Sequence, residues 1–244
     1  NGNNKDAIYY YNLYIKSHPN SFAAYNNRGI AKHDLEDFIG AMSDYTKSIE
    51  IKPNSDAYIN KGSLEGESGH YKIALYDFSK AIEINPNDED AYNYRGLAKY
   101  NLKNYNGAIS DYTKAIEINP NNGDAYNYRG LAKYNLKNYN GAISDFTKAI
   151  EISPNDADAY NHRGAANDDL KNYNKALSDY SKAIEINPNH ADAYVNRGYL
   201  KYRARPRMYY CDDFKKACEL GKSECCGWYK NNCEWLKKQS YYYI

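Results

Sequence analysis

The five cysteines are the residues of this chain whose type and spacing best suit covalent chemistry. All of them lie near the C-terminal end, at Cys211, Cys218, Cys225, Cys226 and Cys233. The first two are seven residues apart, and so are the last two. Seven residues are almost two turns of an α-helix, so on helical segments each pair lies on one face, about 10 Å apart. Thiols in this arrangement can cross-link two neighbouring helices or stay buried as small apolar groups.

The numbering indicates which cysteines face one another. In an antiparallel helical hairpin, facing residues have a constant sum of residue numbers, and Cys218 with Cys226 has the same sum as Cys211 with Cys233. We therefore predict two disulfide bonds with this pairing, and Cys225 free or bonded to another molecule. Five free thiols are the alternative. A zinc site is disfavoured because cysteines about 10 Å apart cannot share one tetrahedral ion with bonds near 2.3 Å.

No other group of residues has the spacing of a reactive centre. The five histidines are scattered singly along the chain, at His18, His33, His70, His162 and His190. None of them stands at a metal-ligand spacing from another His, Cys or acid, and no glycine-rich phosphate loop follows a strand. The sequence therefore predicts no catalytic, cofactor-binding or metal-ligating residues, and a protein that is not an enzyme.

A regular series of prolines shows which elements position these residues. A nearly constant interval separates each proline from the next in the series Pro19, Pro53, Pro86, Pro120, Pro154 and Pro188. Residues 91–118 and 125–152 differ only in Tyr112 against Phe146. A fixed period of this length predicts a repeat array in which each unit buries its apolar face against its neighbours, and hence one elongated domain rather than two globules.

Each repeat carries two helical patterns. Within one repeat, Ala91, Tyr92, Gly96 and Ala98 fall on one side of a first helix, and Tyr105, Ala108, Ile109, Tyr112, Ala115 and Ile116 on one side of a second. Spacings of three and four residues are typical of amphipathic helices rather than strands. Pro120 ends the second helix because proline cannot continue it. The small residues let the two helices approach closely beside the tyrosines.

This pattern resembles the tetratricopeptide repeat, a helix–turn–helix of the same length. The resemblance implies an all-α fold, a right-handed superhelical solenoid of fourteen helices in antiparallel pairs. The expected divisions are a half repeat at 1–18, whole repeats at 19–52, 53–85, 86–119, 120–153, 154–187 and 188–221, and a capping helix with a tyrosine-rich tail at 222–244. The segment from Ala217 to Cys226 also resembles cysteine-rich helical-repeat proteins of secreted bacterial type.

One departure from the family pattern recurs in every repeat. The residue before the glycine is basic, at Arg28, Lys61, Arg95, Arg129, Arg163 and Arg197, and an aspartate follows sixteen residues later, at Asp44, Asp77, Asp111, Asp145, Asp179 and Asp213. The half repeats at the two ends carry Tyr10 and Asn231 at the corresponding places, so both ions vanish where the partner is missing. We predict an ion pair inside each repeat. The alternative is that both groups face water.

In the family, the first helices line a concave groove. Carried onto this sequence, the groove comprises Asp90, Asn93, Leu97, Tyr100 and Asn101, then Asp124, Asn127, Leu131, Tyr134 and Asn135, then Asp158, Asn161, Ala165 and Asp168. Amides, tyrosines and an acidic edge suit a protein or another polar, extended ligand. The first functional hypothesis is therefore a non-catalytic protein-interaction or structural scaffold with no cofactor. A hydrated groove without a dedicated ligand is the alternative.

The two half repeats favour a second hypothesis. Residues 5–17 match a second helix without its first, and residues 224–239 match a first helix without its second. Laid head to tail, two chains would complete a seventh repeat and could form an open filament. The self-association residues would be Ala7, Ile8, Tyr11, Tyr14, Ile15, Trp228 and Trp235, with Ile8, Tyr11 and Ile15 partly exposed in a single chain. An ordinary capping helix and a truncated first repeat are the alternatives.

The composition limits the kinds of partner that the chain is expected to bind. The chain of 244 residues has 32 basic and 31 acidic side chains, a net charge of +1 and no basic stripe, which disfavours nucleic acid. No stretch approaches the roughly 20 apolar residues of a membrane span. Thirty tyrosines against five phenylalanines allow aromatic surface to face water. Because the sequence starts at Asn1 rather than Met, a cleaved leader or an incomplete N-terminus is expected. With the cysteines, this favours export over a cytoplasmic location.

Overall fold

The computed structural model describes residues 2–204 and 210–234, which fold into fourteen α-helices and one π-helical turn. The helices are α1 (Gly2–Ser17), α2 (Phe22–His33), α3 (Phe38–Ile51), α4 (Ser55–Glu67), α5 (Tyr71–Ile84), α6 (Glu89–Asn101), α7 (Tyr105–Ile118), α8 (Gly123–Asn135), α9 (Tyr139–Ile152), α10 (Ala157–Asp169), α11 (Tyr173–Ile186), α12 (Ala191–Ala204), α13 (Cys211–Glu219) and α14 (Ser223–Tyr229), followed by the turn Lys230–Glu234. These residues contain no strand, so the predicted all-α fold is confirmed.

The chain divides into two compact units at Pro120/Asn121. Helices that contact mainly near neighbours along the chain allow such a division at an inter-repeat loop. In the N-terminal unit α2 pairs with α3, α4 with α5 and α6 with α7. In the C-terminal unit α8 pairs with α9, α10 with α11 and α12 with α13. The first member of each pair is called its first helix below, and the other its second helix.

Short loops join the two helices of a repeat. In the third pair, Leu102 is the C-cap of α6 and Asn104 is the N-cap of α7, where the Asn104 side chain accepts a hydrogen bond from the Gly107 amide at 3.1 Å. Between them Lys103 adopts a φ of 60°, and Gly69 takes the corresponding place in the second pair with a φ of 80°. The loop thus reverses the chain within three residues and delivers the second helix antiparallel to the first.

Each pair is held by a ring that lies on a glycine. The buried rings stand on the second helices at Tyr45, Phe78, Tyr112, Phe146, Tyr180 and Phe214. A Cβ atom built on the facing glycines of the first helices would lie 2.6 to 3.2 Å from these rings. Only glycine therefore lets the two backbones approach this closely. Alanines on both helices, such as Ala91 and Ala108, are completely buried beside the contact.

The predicted ion pairs are present in all six repeats. In the third pair, Arg95 donates to Asp111 through Nε at 2.9 Å and Nη2 at 2.8 Å, and Asp111 is only 3% exposed. The corresponding pairs are Arg28–Asp44, Lys61–Asp77, Arg129–Asp145, Arg163–Asp179 and Arg197–Asp213, at 2.6 to 2.7 Å. The alternative in which both groups face water was wrong, because each aspartate is buried between two helices.

The arginines also reach the preceding second helix. Arg95 Nη1 donates to Ser79 Oγ on α5 at 3.3 Å, and its guanidinium lies 5.5 Å from the centre of the Tyr92 ring. Similar bonds run from Arg28 to Asn12, from Arg163 to Thr147 and from Arg197 to Ser181. One side chain therefore ties its own helix to both second helices that flank it.

A second cation completes the site in four repeats. Lys32, Lys99, Lys133 and Lys201 reach the same aspartates at 2.6 to 2.8 Å. In the fifth repeat Asn167 takes this place and donates to Asp179 at 3.2 Å. The second repeat carries Glu65 instead, and there burial raises the pKa of Asp77, with the nearby charge of Lys61 opposing the shift and that of Glu65 adding to it.

The cysteines cross-link α13 to the segment that follows it. Cys211 bonds Cys233 and Cys218 bonds Cys226, the pairing that the equal number sums predict. Cys225 is a free thiol that is only 1% exposed, so a bond to another molecule is not favoured. Two cross-links on a short helix restrict the unfolded chain and hold α14 as a cap on the last repeat.

Trp228 is half-buried and packs against the aromatic cluster of this cap. Its ring lies 4.3 Å from the Phe214 ring and 5.3 Å from the Tyr210 ring, measured between centroids. The exposed residues of the closing segment are polar or small and include Gly227, Lys230 and Asn231. Trp235 and the rest of the tail lie outside the described residues.

The opening helix α1 packs on α2 and keeps an apolar side open. Ile15 is buried at 9% exposure, so the prediction that it is partly exposed was wrong: it lies on the side that faces α2. The open side instead carries Tyr10, Leu13 and Tyr14, at 67, 45 and 48% exposure. Ala7, Ile8 and Tyr11 are half-buried.

Removal of one buried carboxylate tests the ion-pair network. Replacement of Asp111 by Ala leaves Arg95 and Lys99 without their shared partner between two helices, and we expect the free energy of unfolding to fall by about 3 kcal/mol. Glu117 on the same helix makes an exposed ion pair with Lys114 and is the matched control. Urea unfolding followed by circular dichroism should show a large shift for Asp111→Ala and little change for Glu117→Ala. Equal midpoints would contradict the network.

A pair of glycine substitutions tests the ring contacts. A Cβ atom at Gly130 would lie 2.6 Å from Phe146, whereas one at Gly66 would meet nothing within 4 Å. We expect Gly130→Ala to cost about 1–3 kcal/mol through overpacking. We expect Gly66→Ala to stabilise the chain by about 0.5 kcal/mol, because alanine favours the helix. Thermal unfolding of both variants measures the contrast, and a shift of the same sign in both would contradict it.

Candidate functional site

The first helices of the N-terminal unit share one open face. On α6 this face comprises Asp90, Tyr94, Leu97 and Asn101, which follow one another at spacings of four, three and four residues. Asp90, Tyr94 and Asn101 are exposed and Leu97 is half-buried. All of these residues except Tyr94 were predicted to lie in the groove. The i, i+4, i+7 spacing from Asp90 is the signal that identifies Tyr94.

The C-terminal unit repeats this arrangement on its own first helices. Asp124, Tyr128 and Asn135 are exposed on α8, and Leu131 is half-buried between them. On α10, Asp158 is exposed and Ala165 is half-buried. Tyr199 on α12 is 40% exposed and was not among the predicted groove residues. Each unit therefore presents a face of carboxylates, aromatic rings and amides.

Three of the five predicted groove asparagines are less accessible than expected. Asn127 and Asn161 are 8% and 6% exposed, and Asn93 is half-buried. His162 Nδ1 lies 3.1 Å from Asn127 Oδ1, and Asn196 donates to Asn161 Oδ1 at 3.0 Å. The prediction that these two amides face a ligand was wrong, because they connect neighbouring first helices.

Two groove tyrosines pack within their own repeats. The rings of Tyr100 and Tyr105 lie 5.4 Å apart at 64°, and those of Tyr134 and Tyr139 lie 5.4 Å apart at 62°. Tyr134 also donates to Asp169 at 2.5 Å. The fifth repeat has Asp168 at the corresponding place, where it accepts a bond from Arg203. These groove residues stand in the last turns of their first helices, where Asn101 and Asn135 lie exposed beside them.

Charge on the face of the N-terminal unit is predominantly acidic. Asp34, Asp56, Glu67 and Asp90 are exposed at the ends of α2, α4 and α6. Every lysine and arginine of these three helices bonds to a buried aspartate of a second helix, namely Arg28, Lys32, Lys61, Arg95 and Lys99. His33 Nε2 lies 2.9 Å from Glu67 Oε2. The outward potential is therefore set mainly by carboxylates.

The electrostatic environment of the rings reflects this acidity. Burial, followed by the charges of Asp90 and Glu67, raises the pKa of Tyr94. Burial, followed by Asp124 and Asp158, raises the pKa of Tyr128. The pKa of His162 is lowered because burial outweighs the attraction of nearby carboxylates. The tyrosines therefore stay neutral, and they serve as stacking surfaces and hydrogen-bond donors.

The face of the N-terminal unit contains a cavity of about 360 Å³ between α4 and α6. Phe78, Leu97 and Ala98 form apolar walls, and Glu67 and Asn101 lie at its edge. The Tyr94 ring stacks on Phe78 with 5.7 Å between the ring centres. This cavity was not predicted. Gly66 lines it and has no side chain to fill it.

The described part of the chain has no cluster of three His, Cys, Asp or Glu residues arranged to hold a metal ion. Among its helices, none has the length and apolar character that crossing a bilayer requires.

Comparison with known proteins identifies the repeats. Profiles described as "Tetratricopeptide repeat" match residues 22–55 and 55–88, and residues 89–122, 123–156 and 157–190. Together these matches cover more than half of the chain. No curated protein sequence matches it.

Solved structures give the same result. YrrB, described as a TPR protein with an unusual peptide-binding site, is 26% identical and matches with a TM-score of 0.64 over 75% of this chain and 95% of that one. A tetratricopeptide repeat protein from Parabacteroides merdae is 24% identical with a TM-score of 0.71, over 94% of this chain and 92% of that one. The C-terminal part of a TPR protein from Cytophaga hutchinsonii is 24% identical with a TM-score of 0.69, over 90% of this chain and 91% of that one. The last two show the fold alone.

Proposed function

Because the chain belongs to the tetratricopeptide repeat family, we propose that it is a non-catalytic scaffold that binds extended, basic polypeptide segments along its first helices. One observation carries the proposal: the lysines and arginines of α2, α4 and α6 are bonded inward while the exposed ends of these helices carry carboxylates. Such a face attracts cations and rejects acidic partners.

Exposed aromatic rings and aliphatic groups supply a second part of the binding surface in each unit taken by itself. Ile30 and Tyr94 in the N-terminal unit are 39% and 41% exposed, and Tyr128 and Tyr199 in the C-terminal unit are 37% and 40% exposed. Rings and aliphatic groups of this kind bind the side chains of an extended peptide. Asn101 Nδ2 donates to the Leu97 carbonyl at 2.9 Å, so Asn101 Oδ1 is the group that would accept a hydrogen bond from the peptide backbone. The peptide-binding site named for YrrB supports this proposal.

The disulfide bonds support a location outside the reducing cytoplasm. Disulfides persist in oxidising compartments and are rare in cytosolic proteins. Cys211–Cys233 and Cys218–Cys226 hold the cap of the last repeat. We therefore place the scaffold among exported proteins, where it would bind basic segments of other exported or surface proteins.

Charge reversal on matched helix ends tests the binding face. The probe is a fluorescein-labelled peptide of alternating lysine and serine with one central tyrosine, and its affinity is measured by fluorescence anisotropy. We expect Asp34→Lys with Glu67→Lys to weaken binding at least tenfold, because two carboxylates at the ends of first helices are lost.

The control makes the same charge change at the ends of second helices. Glu50 and Glu83 are exposed in the last turns of α3 and α5, and Glu50→Lys with Glu83→Lys should change the affinity less than twofold. Equal losses in both double variants would show that only net charge matters. Absence of binding by the unaltered chain would contradict the proposed function itself.

A second candidate function is head-to-tail association of copies of this chain. The observation that favours it is a depression between α1 and α2, lined by Tyr10, Tyr11, Leu13, Tyr14 and Ala24. In the second repeat the first helix, α4, packs against its own second helix, α5, and against the first helix of the third repeat, α6. A first helix from another copy that paired with α1 would in the same way contact α2. It would therefore occupy this depression and cover the exposed rings.

The segment formed by α14 and the turn after it does not favour head-to-tail association. The place that glycine holds in the six first helices is taken by Asn232, which lies one repeat period after Gly198. Asn232 is exposed and donates to the Trp228 carbonyl at 2.9 Å. A side chain at this place would meet the Tyr11 ring of another copy, as a Cβ atom at Gly198 would meet Phe214 at 3.2 Å.

Sedimentation velocity distinguishes the two candidates. Head-to-tail association predicts growth of the sedimentation coefficient with concentration, and Leu13→Glu with Tyr14→Lys should abolish it without changing helix content, because both residues are exposed. We expect a coefficient that does not depend on concentration. Concentration-dependent growth that this double variant stops would instead establish the second candidate.

A further inference from the structure

A ring normally stands five residues after the basic residue of each first helix. These places are His33, Gly66, Tyr100, Tyr134, Asp168 and Tyr202. Four of them carry a ring that packs on a ring at the start of the following second helix, with centroid distances of 5.3 to 5.5 Å. The ring pair is therefore a regular contact between the end of a first helix and the start of the following second helix in these repeats.

The second repeat has lost this ring. Gly66 stands at its place, and a Cβ atom built there would meet no heavy atom within 4 Å. Tyr71, which corresponds to Tyr105 and Tyr139, lines the cavity of about 360 Å³ that remains. The cavity therefore lies where the structure elsewhere holds one tyrosine side chain.

The walls of the cavity match a phenol. Tyr71, Phe78 and Leu97 present apolar surface to a ring, while Ser63 and Asn101 place polar groups at the edge, where a hydroxyl could bond. The fold already accommodates this side chain, since Tyr100 and Tyr134 occupy the corresponding places in two other repeats.

The surroundings of the cavity favour a cation next to that phenol. Glu67 lies at the edge with 56% of its side chain exposed, and Asp34 and Asp90 are exposed on the flanking helices. The charges of Asp90 and Glu67 reach the cavity wall, since after burial they are the causes of the raised pKa of Tyr94. A lysine or arginine beside a bound tyrosine would meet these carboxylates.

We propose that the cavity at Gly66 is the specificity subsite of the scaffold, which takes a tyrosine side chain from a partner chain whose adjacent residues are lysine or arginine. This inference rests on the proposed function and adds to it a single position at which the partner sequence is selected. The bound tyrosine would replace the missing ring and pack on Tyr71.

Filling the cavity from within tests the subsite. Gly66→Tyr restores the side chain found at this place in other repeats and should occupy the space without disturbing the helix. Gly227→Tyr is the matched control, because it adds the same side chain at another helical glycine with no atom within 4 Å of a Cβ. The probe is the alternating lysine–serine peptide with a central tyrosine, compared with the same peptide carrying alanine at the centre.

We expect the unaltered chain and Gly227→Tyr to bind the tyrosine peptide at least tenfold more tightly than the alanine peptide. Gly66→Tyr should bind both peptides equally, at the level of the alanine peptide. A thermal midpoint at or above that of the unaltered chain would show that Gly66→Tyr folds.

Three other outcomes would overturn the subsite. If both peptides bind equally to the unaltered chain, the face binds basic peptides without selecting tyrosine, and the proposed function stands without the subsite. If Gly66→Tyr keeps its preference for tyrosine, the selecting site lies elsewhere. If the unaltered chain self-associates and Gly66→Tyr stops this, the occupant is a second copy rather than a partner. Failure of the proposed function itself would appear separately, as no binding of either peptide by any variant.

Discussion

A carboxylate buried between two helices is the constraint on which the rest of this structure depends. An aspartate that is nearly inaccessible to water is stable only if cations and hydrogen-bond donors surround it. In each repeat an arginine or lysine from the first helix meets this need, and the bidentate geometry of Arg95 on Asp111 fixes how far the two helices can slide past each other. The same guanidinium bonds Ser79 on the preceding second helix, so one requirement sets the register of three helices.

The inward orientation of these basic side chains determines the charge of the outer surface. Once the basic residues of the first helices are bonded to buried aspartates, carboxylates such as Asp56 and Asp90 dominate what a partner meets. The second repeat departs from its neighbours at several places together. It has Lys61 in place of arginine, Glu65 in place of the second cation and Gly66 in place of the ring. The second repeat, whose residues at these three places differ from those of its neighbours, is therefore also the repeat with an open cavity and an added acidic group at its face.

The sequence predicts the parts of this structure that follow from spacing. The fixed separation between Arg95 and Asp111, the seven-residue spacing of the cysteines and the small residue facing each ring all follow from helical geometry. The burial of Asn127 could not be predicted, because a first helix places it beside the next first helix, and a single helical pattern does not show which neighbour is close. Ile15 was misplaced because the side of α1 that faces α2 was not known. The cavity is visible in the sequence only if Gly66 is compared with the tyrosines of other repeats.

The near-identity of residues 91–118 and 125–152 has a consequence for the history of this chain. Hydrogen bonds between repeats include ones that join residues 16, 33, 34 or 35 positions apart, so the repeats within each unit meet largely through a similar short-range set. Short-range contacts of this kind favour rapid folding. They also mean that duplication or loss of one repeat by recombination creates no new type of junction. A single altered position, as at Gly66, can then give one copy a distinct role while its neighbours preserve the frame.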